Sequence, residues 1–233
     1  MKQYLVLLLG ILCSCENSKP KASPNAVHAH SGIITQPVIK EFFIDSLNIG
    51  RHAFNKIELS RYKTATDSNY VVIKFYTKQG KSWKLRNEFH FEKDEVADCD
   101  TKLSDFNNDG FGDMTYVSAI AARGANELRH LFIYDKKMDR LVFMKNSEQY
   151  PNMLYNKKLN CIDAFLVYGG CSTVFLKIDA DSLKEFANVE LFHGLTVTVY
   201  DSKGKPTIIL KDTRNKGNTI RYKNYKPLEE NND

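Results

Sequence analysis

The sequence predicts an all-β domain made of consecutive antiparallel hairpins, with little helix. Three observations carry that reading. Apolar residues recur mostly with period two, no stretch sustains a helical stripe over three turns, and four segments share one plan of apolar strand, polar turn and apolar strand. Those segments start at Phe75, Ile133, Ile178 and Val199, and their turns are rich in Asp, Lys or Gly. The turns are unevenly spaced, so there is no strict repeat. The class is an irregular propeller-like or sandwich domain, with a barrel as the other way to arrange such strands.

The alternation predicts strands at Phe42–Leu47, Phe54–Tyr62, Tyr70–Tyr76, Trp83–Phe91, Met114–Ile120, Arg129–Tyr134 and Leu141–Lys145. Further on it predicts Leu159–Tyr168, Thr173–Ile178, Glu185–Phe192, Thr196–Tyr200, Thr207–Leu210 and Thr219–Tyr222. Ser182–Ala187 fits either one helical turn or the edge of a hairpin. Residues 41–226 read as one domain with no internal break, followed by a disordered tail at 227–233.

The chain begins MKQYLVLLLGILCSC. Lys2 supplies a positive start, and Leu5–Leu12 is an apolar run too short to cross a bilayer but suited to a secretion signal. Leu12-Cys13-Ser14-Cys15 resembles the bacterial lipobox. The resemblance implies a lipoprotein signal peptide at 1–14 and acylation of Cys15, palmitate included, which would anchor the protein in the cell envelope. The outer membrane is the expected site, on its periplasmic or surface face. Residues 15–40 are rich in Ser, Pro, Asn and Lys and read as a flexible tether, with His28 and His30 as solvated members of it. The formal net charge is +5, or +4 once Lys2 leaves with the signal, which does not indicate nucleic acid as a partner.

Three cysteines follow Cys15: Cys99, Cys161 and Cys171. They allow at most one internal bridge. Cys161 and Cys171 flank a turn at Gly169-Gly170 and stand too far apart along the hairpin, so Cys99 with Cys171 is the preferred pair.

The chemistry concentrates in "SDFNNDGFGD", residues 104–113. Asp105, Asn107 and Asp109 occupy alternate positions, Gly110 permits a sharp turn, the Phe111 carbonyl is a neutral donor, and Asp113 closes the set. Hard oxygen donors at this spacing suit Ca²⁺, and three carboxylates against a divalent cation turn repulsion into attraction. The first half resembles an EF-hand loop, but Tyr116 stands where that loop needs a bidentate Glu. With strand-like flanks and Asp at the ninth position, the loop instead resembles the calcium hairpins of FG-GAP propeller repeats. No His lies beside it, so the ion reads as a staple rather than a catalyst.

No G-x-S-x-G, C-x-x-C, H-E-x-x-H or phosphate-cradling glycine loop occurs, and no pair of acids singles itself out for glycoside hydrolysis. His52, His90, His130 and His193 are scattered singly. The chain therefore reads as non-catalytic. Arg123–Glu127 is a candidate ligand-facing loop, and the basic stretch from Arg214 to Lys226 reads as a solvated edge or an anionic-polymer contact.

"DFNNDGFGDMTYVSA", then "LFIYDKKMDRLVF", "NKKLNCIDAFLVYGGCSTVFLKI" and "DADSLKEFANVEL" follow an order similar to a family of exported bacterial lipoproteins. These carry one FG-GAP/VCBS-like calcium loop on a propeller-like β-domain related to periplasmic lysozyme inhibitors, and some are immunity proteins against muramidase effectors. The resemblance spans about residues 95–195. It implies a loop that enters the target's cleft, matched here by Tyr168, Gly169, Gly170 and Ser172, although Thr173 and Val174 follow without the Tyr of characterised inhibitors. The expected function is a calcium-stabilised envelope lipoprotein that binds or inhibits another macromolecule, an immunity-type inhibitor of a peptidoglycan hydrolase. The alternative is glycan binding or surface attachment, for which Trp83 is the one tryptophan.

Overall fold

Alternation decides which face of each ribbon is buried, and three ribbons result. The computed structural model describes residues 36–215, 217 and 219–231. The predicted signal peptide, Cys15 and both tether histidines lie outside the described residues. The first sheet is an antiparallel meander of β1 (Val38–Asp45), β2 (Asn55–Lys63), β3 (Asn69–Gln79) and β4 (Ser82–Lys93). The second repeats the plan with β5 (Lys102–Ser104), β6 (Asp113–Ala121), β7 (Asn126–Asp135) and β8 (Arg140–Phe143). The third has six strands: β9 (Leu154–Asn156), β10 (Cys161–Val167), β11 (Cys171–Asp179), β12 (Ser182–Leu191), β13 (Leu195–Tyr200) and β14 (Pro206–Asp212). A last hairpin joins β15 (Tyr222–Tyr225) to β16 (Leu228–Glu230).

The protein is all-β, with sheets stacked face to face and no closed barrel among the described residues. Ile57, Leu59, Ile73 and Phe75 of the first sheet meet Met114, Tyr116, Phe132 and Tyr134 of the second in one apolar layer. Leu131 and Ile133, on the other face of β7, meet Ile162, Ala164, Val174 and Leu176 of the third sheet. Phe175, Val189 and Val197 form a third layer with Tyr222. The second sheet is thus buried on both faces, so β7 is enclosed continuously from Arg129 to Tyr134. A strand between two layers loses the polar alternation of a one-sided strand. β2, buried on one face, keeps it.

Several expectations change in detail. Ser182–Ala187 is strand, because β12 pairs with β11 from Asp179 opposite Ser182 onward. Val38–Lys40, assigned to the tether, already belongs to β1 and pairs with β2. Leu228–Glu230, assigned to the disordered tail, is β16. The strand predicted at Thr219–Tyr222 begins at Tyr222 instead. All three cysteines are free and buried. Cys99 sits in the first layer and Cys171 in the third, so the preferred Cys99–Cys171 bridge is corrected by the stacking itself. Burial pushes the Cys99 and Cys161 thiols up to about 12, which leaves them inert. Within the basic C-terminal stretch, Tyr222 is core and Arg221 pairs with the buried Asp163.

Polar contacts lock the first two sheets together. Asp139, on the β7–β8 turn, accepts hydrogen bonds from Asn55 (3.0 Å), Thr77 (2.6 Å) and Tyr134 (2.8 Å), and pairs with Arg51 (2.9 Å). Burial alone would raise the pKa of its carboxyl. The bonds from Thr77, Asn55 and Tyr134, with the Arg51 charge, bring it below the ordinary value.

Asp139→Ala is expected to cost about 2–4 kcal/mol, because it takes the acceptor away from Asn55 and Thr77 of the first sheet, from Tyr134 and from the Arg51 guanidinium. A carboxyl with a lowered folded pKa stabilises fully above its unfolded value and loses that contribution as pH falls through the folded one. Urea unfolding should therefore show the gap between wild type and variant narrowing below about pH 4. A gap that stays constant down to about pH 2 would contradict this assignment.

Candidate metal centre and partner-facing loops

The loop from Asp105 to Asp113 connects β5 to β6 and rests on the chain between β1 and β2. Gly50 and Gly112 exchange backbone hydrogen bonds there, at 2.8 and 3.4 Å. A Cβ on Gly112 would stand 1.7 Å from the Asn48 carbonyl oxygen, so only glycine allows this approach. Opposite it, the Asp45 carboxylate accepts the N–H groups of Leu47, Asn48 and Ile49 and fixes the receiving loop. Gly110 takes φ of +84°, the sharp turn that the sequence anticipates.

Asp113 is fully buried. One carboxylate oxygen accepts the N–H of Phe106 and the other that of Tyr134, both at 2.8 Å. It thereby ties the start of the loop and β7 to the start of β6. Burial pushes its pKa up to about 7, the two backbone bonds oppose the rise, and the charges of Asp109 and Asp105 add to it. Asp105 accepts the N–H groups of Asp109 and Gly110, Asn107 that of Asp109, and Asp109 that of Phe111.

The donor set fits calcium by chemistry: three carboxylates, an amide oxygen and the Phe111 carbonyl within nine residues, with the buried carboxylate short of positive charge. Each carboxylate oxygen that accepts a backbone N–H keeps a second lone-pair direction. In the arrangement described, the side chains cap the loop's own N–H groups in series. No three His, Cys, Asp or Glu side chains among the described residues are gathered around one point. Asp105, Asn107, Asp109, Phe111 and Asp113 would hold the ion, which would supply the missing positive charge and no reaction chemistry.

The partner-loop residues lie elsewhere. Asp113 begins β6 and Ala121 ends it, roughly 26 Å away along a strand of eight steps. Ala121 pairs with Asn126, whose side chain bonds the N–H and C=O of Val167 at 2.9 and 2.8 Å. Tyr168 follows directly. The acidic loop therefore positions the 45–54 loop, and Asn126 positions the Tyr168 loop.

Tyr168 and Gly169 are exposed, whereas Ser172 is buried in β11. A Cβ on Gly170 would stand 2.2 Å from the Leu191 carbonyl, so this glycine serves packing against β12. Tyr168 donates to Glu190 at 2.8 Å and packs on the exposed Phe192. Phe192 in turn lies against His193. The sequence places Phe192 at the end of a strand, but β12 stops at Leu191 and leaves Phe192 exposed in the turn that follows. Arg123 is exposed on a short 3₁₀ turn at Ala122–Gly124, at this same end.

No family model matches the chain, and neither does any curated protein. Among solved structures, a Xanthomonas type IV secretion system related protein is similar at 10% identity with a TM-score of 0.45, covering 72% of this chain and 93% of that one.

Gly112→Ala is expected to cost about 3 kcal/mol or more, since two backbones must part. Gly80→Ala, with open space around it and φ of +60°, should cost only roughly 1–2 kcal/mol of left-handed strain. Urea midpoints measure both, and equal losses would deny the close approach its role. If the loop takes calcium about a hundredfold above its dissociation constant, melting should rise by about 5–10 °C over chelator. Asp109→Ala should abolish that rise; an unchanged rise would place the ion elsewhere.

Proposed function

We propose that this chain is a non-catalytic envelope lipoprotein, stabilised by calcium, that binds and inhibits another macromolecule, with a wall-degrading muramidase as the first candidate. The reading rests on four features taken together: the lipobox-like Cys15, the acidic loop, the order of hairpins shared with the lysozyme-inhibitor-like lipoproteins, and a division of labour between two ends of one sheet. The single observation that supports it most is the exposed group Tyr168, Gly169 and Phe192. It is anchored through Asn126 and Glu190 rather than left to move freely. A rigid aromatic knob loses little conformational freedom on binding, which is what an inhibitor inserted into a cleft requires.

A second reading, glycan attachment, draws on the outer face of the first sheet. Tyr62 and Tyr70 stack there with centroids 5.0 Å apart, and Lys56 lies over both Tyr76 and Trp83. Sugars stack on such rings, although Lys56 already occupies the approach to two of them.

The purified protein is expected to slow peptidoglycan lysis by at least one member of a broad muramidase panel. Tyr168→Ala should weaken that inhibition about tenfold or more, with melting unchanged. A panel with no inhibited enzyme would remove the inhibitor reading. Retention on insoluble peptidoglycan that Trp83→Ala abolishes would favour the glycan reading instead.

A further inference from the structure

A cleft of about 500 Å³ opens between the second and third sheets, and Phe106 of the acidic loop is part of its lining. Lys102, Leu103 and Ser104 line one side of it; Met153, Leu154 and Tyr155 line the other. The first three residues are β5, and Leu154 and Tyr155 belong to β9. Each is the terminal strand of its sheet. A terminal strand offers a row of N–H and C=O groups with no ladder partner. Among the described residues no backbone hydrogen bond joins β5 to β9, so two free sheet edges border one cavity.

The charges in the cleft are already matched. Lys102 pairs with Asp100 at 2.8 Å, Arg129 with Asp100 and with Glu127, and Arg221 with Asp163. Three cations thus face three carboxylates, and an incoming phosphate or carboxylate would have to displace an existing partner. What stays unmatched is the backbone of the two edges together with apolar side chains, among them Leu154, which is 52% exposed. A compact apolar ligand would cover the side chains and leave the edges unpaired. An extended polypeptide satisfies both, since it carries its own alternating donors and acceptors and points every second side chain the same way.

We infer that the cleft between β5 and β9 takes an extended, uncharged segment of a partner polypeptide, added as a strand to one of these free edges. The inference rests on the reading of the chain as a binding protein, and it names the chemistry of what is bound. It does not depend on the acidic loop holding an ion.

The probe is a set of capped heptapeptides that alternate Thr with Val, Ile, Leu or Phe, titrated against the full-length chain by fluorescence anisotropy. At least one peptide should bind saturably below about 1 mM. Leu154→Asp, at an exposed position, should weaken it about tenfold or more. A strand bonds through one edge only, so one of the two alternately N-methylated isomers of that peptide should fail to bind wild-type protein while the other binds. Tyr168→Ala should leave binding unchanged. No saturable binding by any peptide, or equal binding by both N-methylated isomers, overturns the inference. Should Leu154→Asp inhibit a muramidase as well as wild type does, the cleft is not used against that enzyme, while the envelope-inhibitor reading stands.

Discussion

The structure depends on a carboxylate that has no exposure to solvent. Asp113 receives the N–H groups of Phe106 and Tyr134, and so joins a loop, β6 and β7 at one point. One residue before it, Gly112 lies against the Asn48 carbonyl and pairs with Gly50, which brings the first sheet to the same point. Two sheets are therefore registered by a single turn of chain. Burying that carboxylate near Asp105 and Asp109 is unfavourable unless a proton or a cation accompanies it, because desolvation and the neighbouring charges both push its pKa up. This is the physical reason for proposing the acidic loop as a calcium staple: an ion bound there would supply charge to a junction that is already assembled from backbone hydrogen bonds.

From that junction the rest follows by stacking. The second sheet, held to the first, offers its other face to the third, and the third offers its far face to Tyr222 and the closing hairpin. The fold is a series of meanders, each covering its predecessor. The proposed binding surface sits at the margins. The aromatic knob of Tyr168 and Phe192 lies at the end of the second sheet remote from the acidic loop, where Asn126 grips Val167. Under the proposed function, a staple at one end and an exposed loop at the other would divide the work of an inhibitor, because neither must move for the other to act.

Long strands were legible because alternation over seven or more residues is hard to produce otherwise, as β2 and β3 illustrate. The three-residue strands β5, β9 and β16 were not, since three residues define no period. The start of β1 was hidden because its first residues are exposed despite pairing with β2, and so resemble the tether before them. At the acidic loop the donor residues and the turn at Gly110 could be read locally. The docking of Gly112 on Asn48 could not, because it joins positions 64 apart (112 − 48) through tertiary packing alone. The same holds for Asp139, whose partners Asn55 and Thr77 belong to another sheet. Cysteine spacing misled for a related reason: Cys99 and Cys171 occupy different apolar layers, a fact of stacking order that no spacing encodes.

The most direct test is native-state hydrogen exchange at single amides, in chelator and in calcium. The amides of Phe106, Gly112 and Tyr134 should exchange about a hundredfold more slowly when the ion is in hundredfold excess over its dissociation constant. The amide of Val199, in β13 of the third sheet, should change far less. Identical exchange at Phe106, Gly112 and Tyr134 in both conditions would contradict the account, leaving the acidic loop a polar turn held by its own backbone.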